Sequence, residues 1–293
     1  MIASQPNARL LTGTLVILLV VGCEKAPQPS DRLPAPSAVA VLPKDAPVAV
    51  SSPYLEAAVR EVLCRDVPMV RLAGPSMCPG HFDMRPSQIS ELARCGLLVR
   101  FDFQQALDEK RRTNSCQTAA IGVHGGLCVP DTYVSTCRQV ADHFVRADFL
   151  SRSEADARLA KLAERMASLR QEVERQIKAS RLHGAPVLAS GHQADFCRWL
   201  GLKMVAEISS ADSSSIRDLD EALKAGEAAG VRIVVANEPE GRRAADALTE
   251  RLHARVVVFA NFPQPDKEAA FDDLVRRNLA ALLNAGESGE KRP

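Results

Sequence analysis

Residues 153–181, "SEADARLAKLAERMASLRQEVERQIKASR", contain neither glycine nor proline. Leu159, Leu162, Met166, Leu169, Val173 and Ile177 recur at spacings of three and four, which predicts an amphipathic helix with one apolar face. At about 1.5 Å per residue such a helix reaches roughly 40 Å, well beyond an average globular helix. Fewer than four clean heptads disfavour a coiled-coil dimer, so the segment reads as a strut between two lobes of a monomer.

The flanking sequence supports two lobes of one kind. Before the strut, a branched strand at 48–52 precedes a helix with Leu55, Val59, Val62 and Leu63 on its apolar face. "VPMVRLAG" is a second strand, Ser87 is the expected cap of a helix through Leu92, and a third strand covers 97–103. After the strut, strands at 185–190, "KMVAEI", "VRIVVANEP" and "ARVVVFANF" alternate with helices "QADFCRWLGL", "IRDLDEALKAGEAAG" and "EGRRAADALTERLH", and "FDDLVRRNLAALLNA" closes the chain as a helix. This alternation predicts an α/β protein of two parallel-sheet lobes joined by a single connecting helix. The expected boundaries are 48–150, 151–183 and 184–293, with ligands bound at the carboxyl ends of the strands.

The amino terminus predicts export. Arg9 precedes the apolar run "LLTGTLVILLVVG", too short for a transmembrane span, and the run ends at Cys23. "VVGC" at 20–23 resembles the lipobox of bacterial lipoproteins, which implies a signal peptide over 1–23, lipidation of Cys23 and an anchor in a membrane. Residues 24–47 are proline-rich and aperiodic, as expected of a tether.

Charge and chemistry narrow the function. Lys plus Arg number 37 against 36 Asp plus Glu, so no net field draws nucleic acid, and aromatics at 4% disfavour a sugar or base platform. HExxH, GxSxG and Gly-rich Lys-Ser/Thr phosphate motifs are all missing from the sequence, which argues against the common hydrolase and nucleotide-binding enzymes. The stretch "MCPGHFDMRPSQ" instead places a thiol at Cys78, an imidazole at His81 and a carboxylate at Asp83 between prolines, donors suited to zinc or a similar late transition metal. With Cys23 assigned to lipid, seven of the 8 cysteines remain, and two readings stay open: disulfides with a leftover buried thiol, or thiolate ligation.

The order of parts, with "GPSMCPGHFDMRPSQISELARCGLL", "SGHQADFCRWLGLKMV" and "GVRIVVANEPEGRRAADALTERLHARVVVF", resembles the zinc/manganese family of ABC-transporter substrate-binding proteins over about 48–285. The resemblance implies that one divalent metal ion, expected to be zinc, is held between the lobes and handed to a membrane permease, without catalysis. His81 falls at the family's first histidine position, His124 within about a residue of the second, and Ser190 at the third, so His192 serves there only after a two-residue shift. The family's aspartate after the last strand matches Ala260. Replacement by sulfur ligands is therefore expected, from Cys78 or Cys128, giving a four-coordinate set with His81, His124 and His192. Cys128 and Cys197 are equally compatible with burial in the core. Glu238 is a candidate for orienting a histidine, although Glu-Pro also simply starts a helix; Asp83 is open to the same orienting role or to that of a turn residue, and Asp131 reads as a helix-start residue. His143, His183 and His253 are read as surface or satisfied groups. A metal hydrolase and an adhesin-like lipoprotein with a structural metal are the alternative functions.

Overall fold

The computed structural model describes residues 46–64, 66–74, 77, 84–110, 116–210, 215–266 and 269–287. The expectations for the signal peptide, Cys23 and the tether up to residue 45, and for Cys78, His81 and Asp83, lie outside the described residues.

The first lobe consists of β1 (Val48–Val50), α1 (Pro53–Leu63), β2 (Met69–Arg71), α2 (Pro86–Leu92), β3 (Leu97–Phe101), α3 (Ala106–Glu109), β4 (Gln117–Ile121) and α4 (Pro130–Arg146). Its strands are all parallel in the order β2-β1-β3-β4, with Val48 paired to both Met69 and Leu97, and Leu97 to Gln117. The connecting helix α5 (Arg152–Ala179) starts on a capping box in which Ser151 and Glu154 satisfy each other's backbone N–H groups. The second lobe follows as β5 (Pro186–Ser190), α6 (Gly191–Trp199), β6 (Lys203–Ile208), α7 (Ile216–Ala229), β7 (Ile233–Asn237), α8 (Arg243–Leu252), β8 (Arg255–Phe259) and α9 (Ala270–Glu287). Its order, β6-β5-β7-β8, repeats that of the first lobe.

Sequence alternation explains how the sheets are covered. In β1, Val48 and Val50 point into a core shared by both lobes, while Ala49 points to the outer face with Leu72, Leu92, Leu98 and Leu107. β5 behaves likewise: Val187 and Ala189 enter the shared core, and Leu188 joins Leu223, Val234 and Leu248 outside. Strands covered on both faces read as continuous apolar runs, as in "VAV" and "IVVAN".

The shared core is closed by α5, whose buried face is Ala155, Leu162, Met166, Leu169, Val173 and Ile177. Leu159 is only half-buried, so the stripe drifts off the expected row at its amino-terminal end. The scarce aromatics gather at the seam. Tyr133 of α4 stacks on Phe271 of α9 with ring centroids 4.0 Å apart, and Tyr54 of α1 meets Tyr133 edge-on at 5.6 Å. On the same side, Arg165 of α5 bonds Glu61 of α1 at 2.6 Å and Asp272 of α9 at 3.1 Å.

Local expectations needed two corrections. Ser87 is not the cap of α2: Pro86, which has no N–H to lose, takes the first helical turn and draws Ser87 inside, while the Gln88 side chain accepts the Arg85 N–H at 2.9 Å. The third strand ends at Phe101 because Gln104 turns back to accept the Phe101 N–H at 3.0 Å.

Candidate metal centre

In both sheets the chain reverses its direction of growth between the first strand and the third, so a crevice opens at the carboxyl ends of β1 and β3, and of β5 and β7. In the second lobe that point is occupied by chemistry. β5 ends at Ser190, whose hydroxyl oxygen caps α6 by accepting the His192 N–H at 3.3 Å. The same hydroxyl donates to Glu240 Oε2 at 2.5 Å. Glu240 ends the single 3₁₀ turn Glu238–Glu240 that follows β7. Its other oxygen, Oε1, stands 3.5 Å from His192 Nε2, the imidazole being 54% exposed and the carboxylate 21%.

Sequence reasoning weighed Glu238 of this turn, with a helix-start role preferred, and did not weigh Glu240. Glu238 points to solvent, and α8 starts only at Arg243, so Glu-Pro opens the 3₁₀ turn rather than the helix. At three residues per turn, Glu238 and Glu240 project in different directions, and only the second faces β5. The "EPE" triplet was the available signal, but its phase needed the structure.

Behind this pair lies a neutral layer. Gln193 of α6 is fully buried and donates to Asn237 Oδ1 at 3.0 Å and Asn261 Oδ1 at 3.4 Å. Asn278 of α9 clamps the backbone of Ala260, accepting its N–H and donating to its carbonyl, both at 2.9 Å. Ala260 thus follows β8 without a charged group, and the Cys128 thiol donates to its carbonyl at 3.4 Å. Burial pushes the Cys128 thiol up to about 12, against the lowering influence of its bond with Gln193. Cys197 is likewise pushed to about 12 by burial.

From the first lobe, the loop after β4 approaches the same seam. Gln139 of α4 fixes it at Gly122, accepting the N–H at 2.9 Å and donating to the carbonyl at 2.7 Å. His124 is exposed, with its carbonyl accepting the Thr132 hydroxyl at 3.3 Å. Gly125 has φ +95°, a value that favours glycine, and a Cβ on Gly126 would stand 3.0 Å from the Cβ of Asp195 in α6. Two glycines therefore let the His124 loop lie directly on the helix that begins beside His192. Cys128, two residues beyond Gly126, turns inward.

The His124 loop thus meets α6 at Asp195, with Cys128 buried beneath it, while His124 Nε2 would stand 3.8 Å from a Cβ on Gly122. Among the described residues, no three His, Cys, Asp or Glu side chains converge as a metal cluster. The six described cysteines are thiols, Cys64 exposed and the others buried. Asp131 pairs with Arg170 at 2.6 Å in an exposed, structural position. His183 and His253 are exposed, whereas His143 is half-buried and lowered in pKa by burial and by Arg146.

The family model described as zinc-uptake complex component A, periplasmic, matches residues 128–285. The chain belongs to this family. Membership makes it the substrate-binding component of a metal ABC transporter, in a family of transport proteins rather than enzymes. No curated protein sequence matches the chain. Among solved structures, a ZnuA crystal structure superposes with a TM-score of 0.68 at 15% identity, covering 82% of this chain and 99% of that one. A manganese-bound periplasmic metal-binding protein from Candidatus Liberibacter asiaticus gives 0.66 at 10% identity, with 82% and 98% covered. The laminin-binding protein of Streptococcus agalactiae, titled as having adhesin and metal-transporting activity, gives 0.67 at 14% identity, with 82% and 99% covered. These likenesses establish the two-lobed α/β fold. The matched segment contains His192 and Glu240, while His124 and the Cys78–His81 loop precede it.

Proposed function

We propose that the chain captures one zinc ion between its lobes and delivers it to a membrane permease. His192 supplies a ligand from the second lobe and His124 and His81 from the first, with Cys78 as the sulfur donor. The observation that supports this reading is the close approach of the His124 loop to Asp195 of α6, the helix that carries His192 in its first turn. Imidazole and thiolate together favour zinc over manganese. Cys128 is the weaker sulfur candidate: to bind, it would have to leave its bond to Ala260 and lose its proton against strong desolvation.

Export and anchoring complete the proposal. Lipidation at Cys23 would hold the monomer on the outer side of a membrane, with residues 24–47 as the tether. Among the described residues, no helix is long and apolar enough to cross a membrane. Because both lobes share one core, release would come from rearrangement of the ligand loops rather than wide opening of the lobes. Protons compete for imidazole and thiolate, so acidification should weaken binding.

Titration of the purified, reduced chain with zinc and with manganese tests the reading. One zinc per chain, bound at least tenfold more tightly than manganese, is expected. No saturable zinc binding, or a preference for manganese, would overturn it.

A further inference from the structure

We infer that Glu240 is a direct ligand of the captured ion, paired with His192, and that it supplies the carboxylate for which Ala260 has no group. The inference rests on the proposed metal capture and specifies its chemistry in the second lobe.

The separation of the two donor atoms is the first argument. Two ligands bound about 2.1 Å from a tetrahedral zinc ion stand about 3.4 Å apart. His192 Nε2 and Glu240 Oε1 are 3.5 Å apart. A well-formed hydrogen bond would draw them to about 2.7–3.2 Å. The pair therefore has the spacing of neighbouring ligands around a shared ion.

Orientation is the second argument. Ser190 fixes both partners: its hydroxyl oxygen accepts the His192 backbone N–H, and its proton goes to Glu240 Oε2. One carboxylate oxygen is thus committed to the protein, and the other is left beside the imidazole. Carboxylates that bind metals are commonly held in this way by a hydrogen bond to their second oxygen.

Position is the third. Ser190 and Glu240 end or follow β5 and β7, the strands that flank the reversal of the second sheet. Ala260 follows β8, the neighbour of β7. The carboxylate has moved by one strand while staying at the same end of the sheet. With one carboxylate and one imidazole, the second lobe offers two of the ligands, and two of His124, His81 and Cys78 would complete a tetrahedral set.

The test compares wild type, Glu240→Gln and Ser190→Ala by zinc titration and by the visible absorption of the cobalt(II)-loaded chain. Glu240→Gln keeps the shape of the native side chain, and its amide oxygen can still accept from Ser190, so the fold should be unchanged by circular dichroism. The expected result is a loss of at least tenfold in zinc affinity for Glu240→Gln, with an altered cobalt spectrum. Ser190→Ala should lose only a few-fold and keep the wild-type spectrum. Wild-type affinity and spectrum in Glu240→Gln would overturn Glu240 as a ligand while leaving metal capture intact. Weakened binding with an unchanged spectrum would also overturn direct ligation, leaving Glu240 a positioning residue. Failure of the wild type itself to bind zinc would overturn the underlying reading and this inference with it.

Discussion

The two lobes share a strand order and even a device: a serine at the end of the first strand caps the next helix. Ser52 accepts the Leu55 N–H at 3.2 Å after β1, as Ser190 accepts that of His192 after β5. What lies beyond the cap differs. In the first lobe the nearby carboxylate, Glu56, is 1% exposed and held by Arg60 at 2.9 Å and Arg71 at 2.5 Å. Its charge is neutralised by the two arginines, so this carboxylate is committed to the protein. In the second lobe the carboxylate comes across from β7 and stands beside a half-exposed imidazole. One topology thus places a carboxylate paired with arginines in one lobe and a carboxylate beside an imidazole in the other, so a few side chains, not the strand order, set the chemistry at each strand end.

The comparison holds only if the lobes fold as one body, and the stacked seam offers the hardest blow to that condition. Phe271→Ala should cost about 3–5 kcal/mol, since the ring is fully buried against Tyr133. Urea unfolding followed by far-ultraviolet circular dichroism and by Trp199 fluorescence should still show one coincident transition. Two separated transitions would mean that each lobe folds alone.

Next in size is the charged bridge. Arg165→Met leaves Glu61 and the buried Asp272 without their shared cation, at an expected cost of about 1–3 kcal/mol, moderated by the partial exposure of the arginine. A midpoint unchanged in urea would show that the bridge contributes nothing to joining the lobes.

Gly126→Ala sharpens the comparison at the site itself. The new methyl group would press on Asp195, so a cost of about 1–2 kcal/mol is expected, together with a few-fold loss of zinc affinity as the His124 loop is pushed from α6. Stability lost with affinity unchanged would separate that loop from binding.

Two smaller effects concern single buried groups. In the first, His143 is lowered by burial, so the unfolded chain takes up the proton earlier as pH falls; stability should decline through the window below about 6.5, and His143→Gln should flatten the decline in thermal melts. At the seam, thiols with pKa near 12 are less than about 0.1% thiolate at pH 8. Cys128 and Cys197 should therefore resist iodoacetamide in the native chain while exposed Cys64 reacts, as peptide mapping would read directly.

Much of the architecture was legible because it rests on periodicity. The helix expected at 153–181 runs Arg152–Ala179, and the strands and helices of the second lobe follow their apolar runs. β4 gave no comparable signal: "QTAAI" is short and weakly apolar, and becomes a strand through its pairing with β3. The site was less legible. His124 and His192 were proposed from the resemblance, His192 only after a two-residue shift, whereas the placement of Glu240 beside Ser190 depends on the phase of one 3₁₀ turn and on a partner 50 positions away, which no local pattern reveals. Cys128 illustrates the opposite difficulty, since residue type suggested a ligand while tertiary packing encloses the thiol among Gln193, Ala260 and Asn278.

The central claim is that both lobes contribute to one ion. Zinc titration of His81→Ala and His192→Ala, each beside wild type under reducing conditions, tests it most directly. The account predicts one zinc per wild-type chain and a loss of at least tenfold in affinity in each variant. Full affinity in either variant would contradict it, because the histidine assigned to that lobe's share of the site would then contribute nothing.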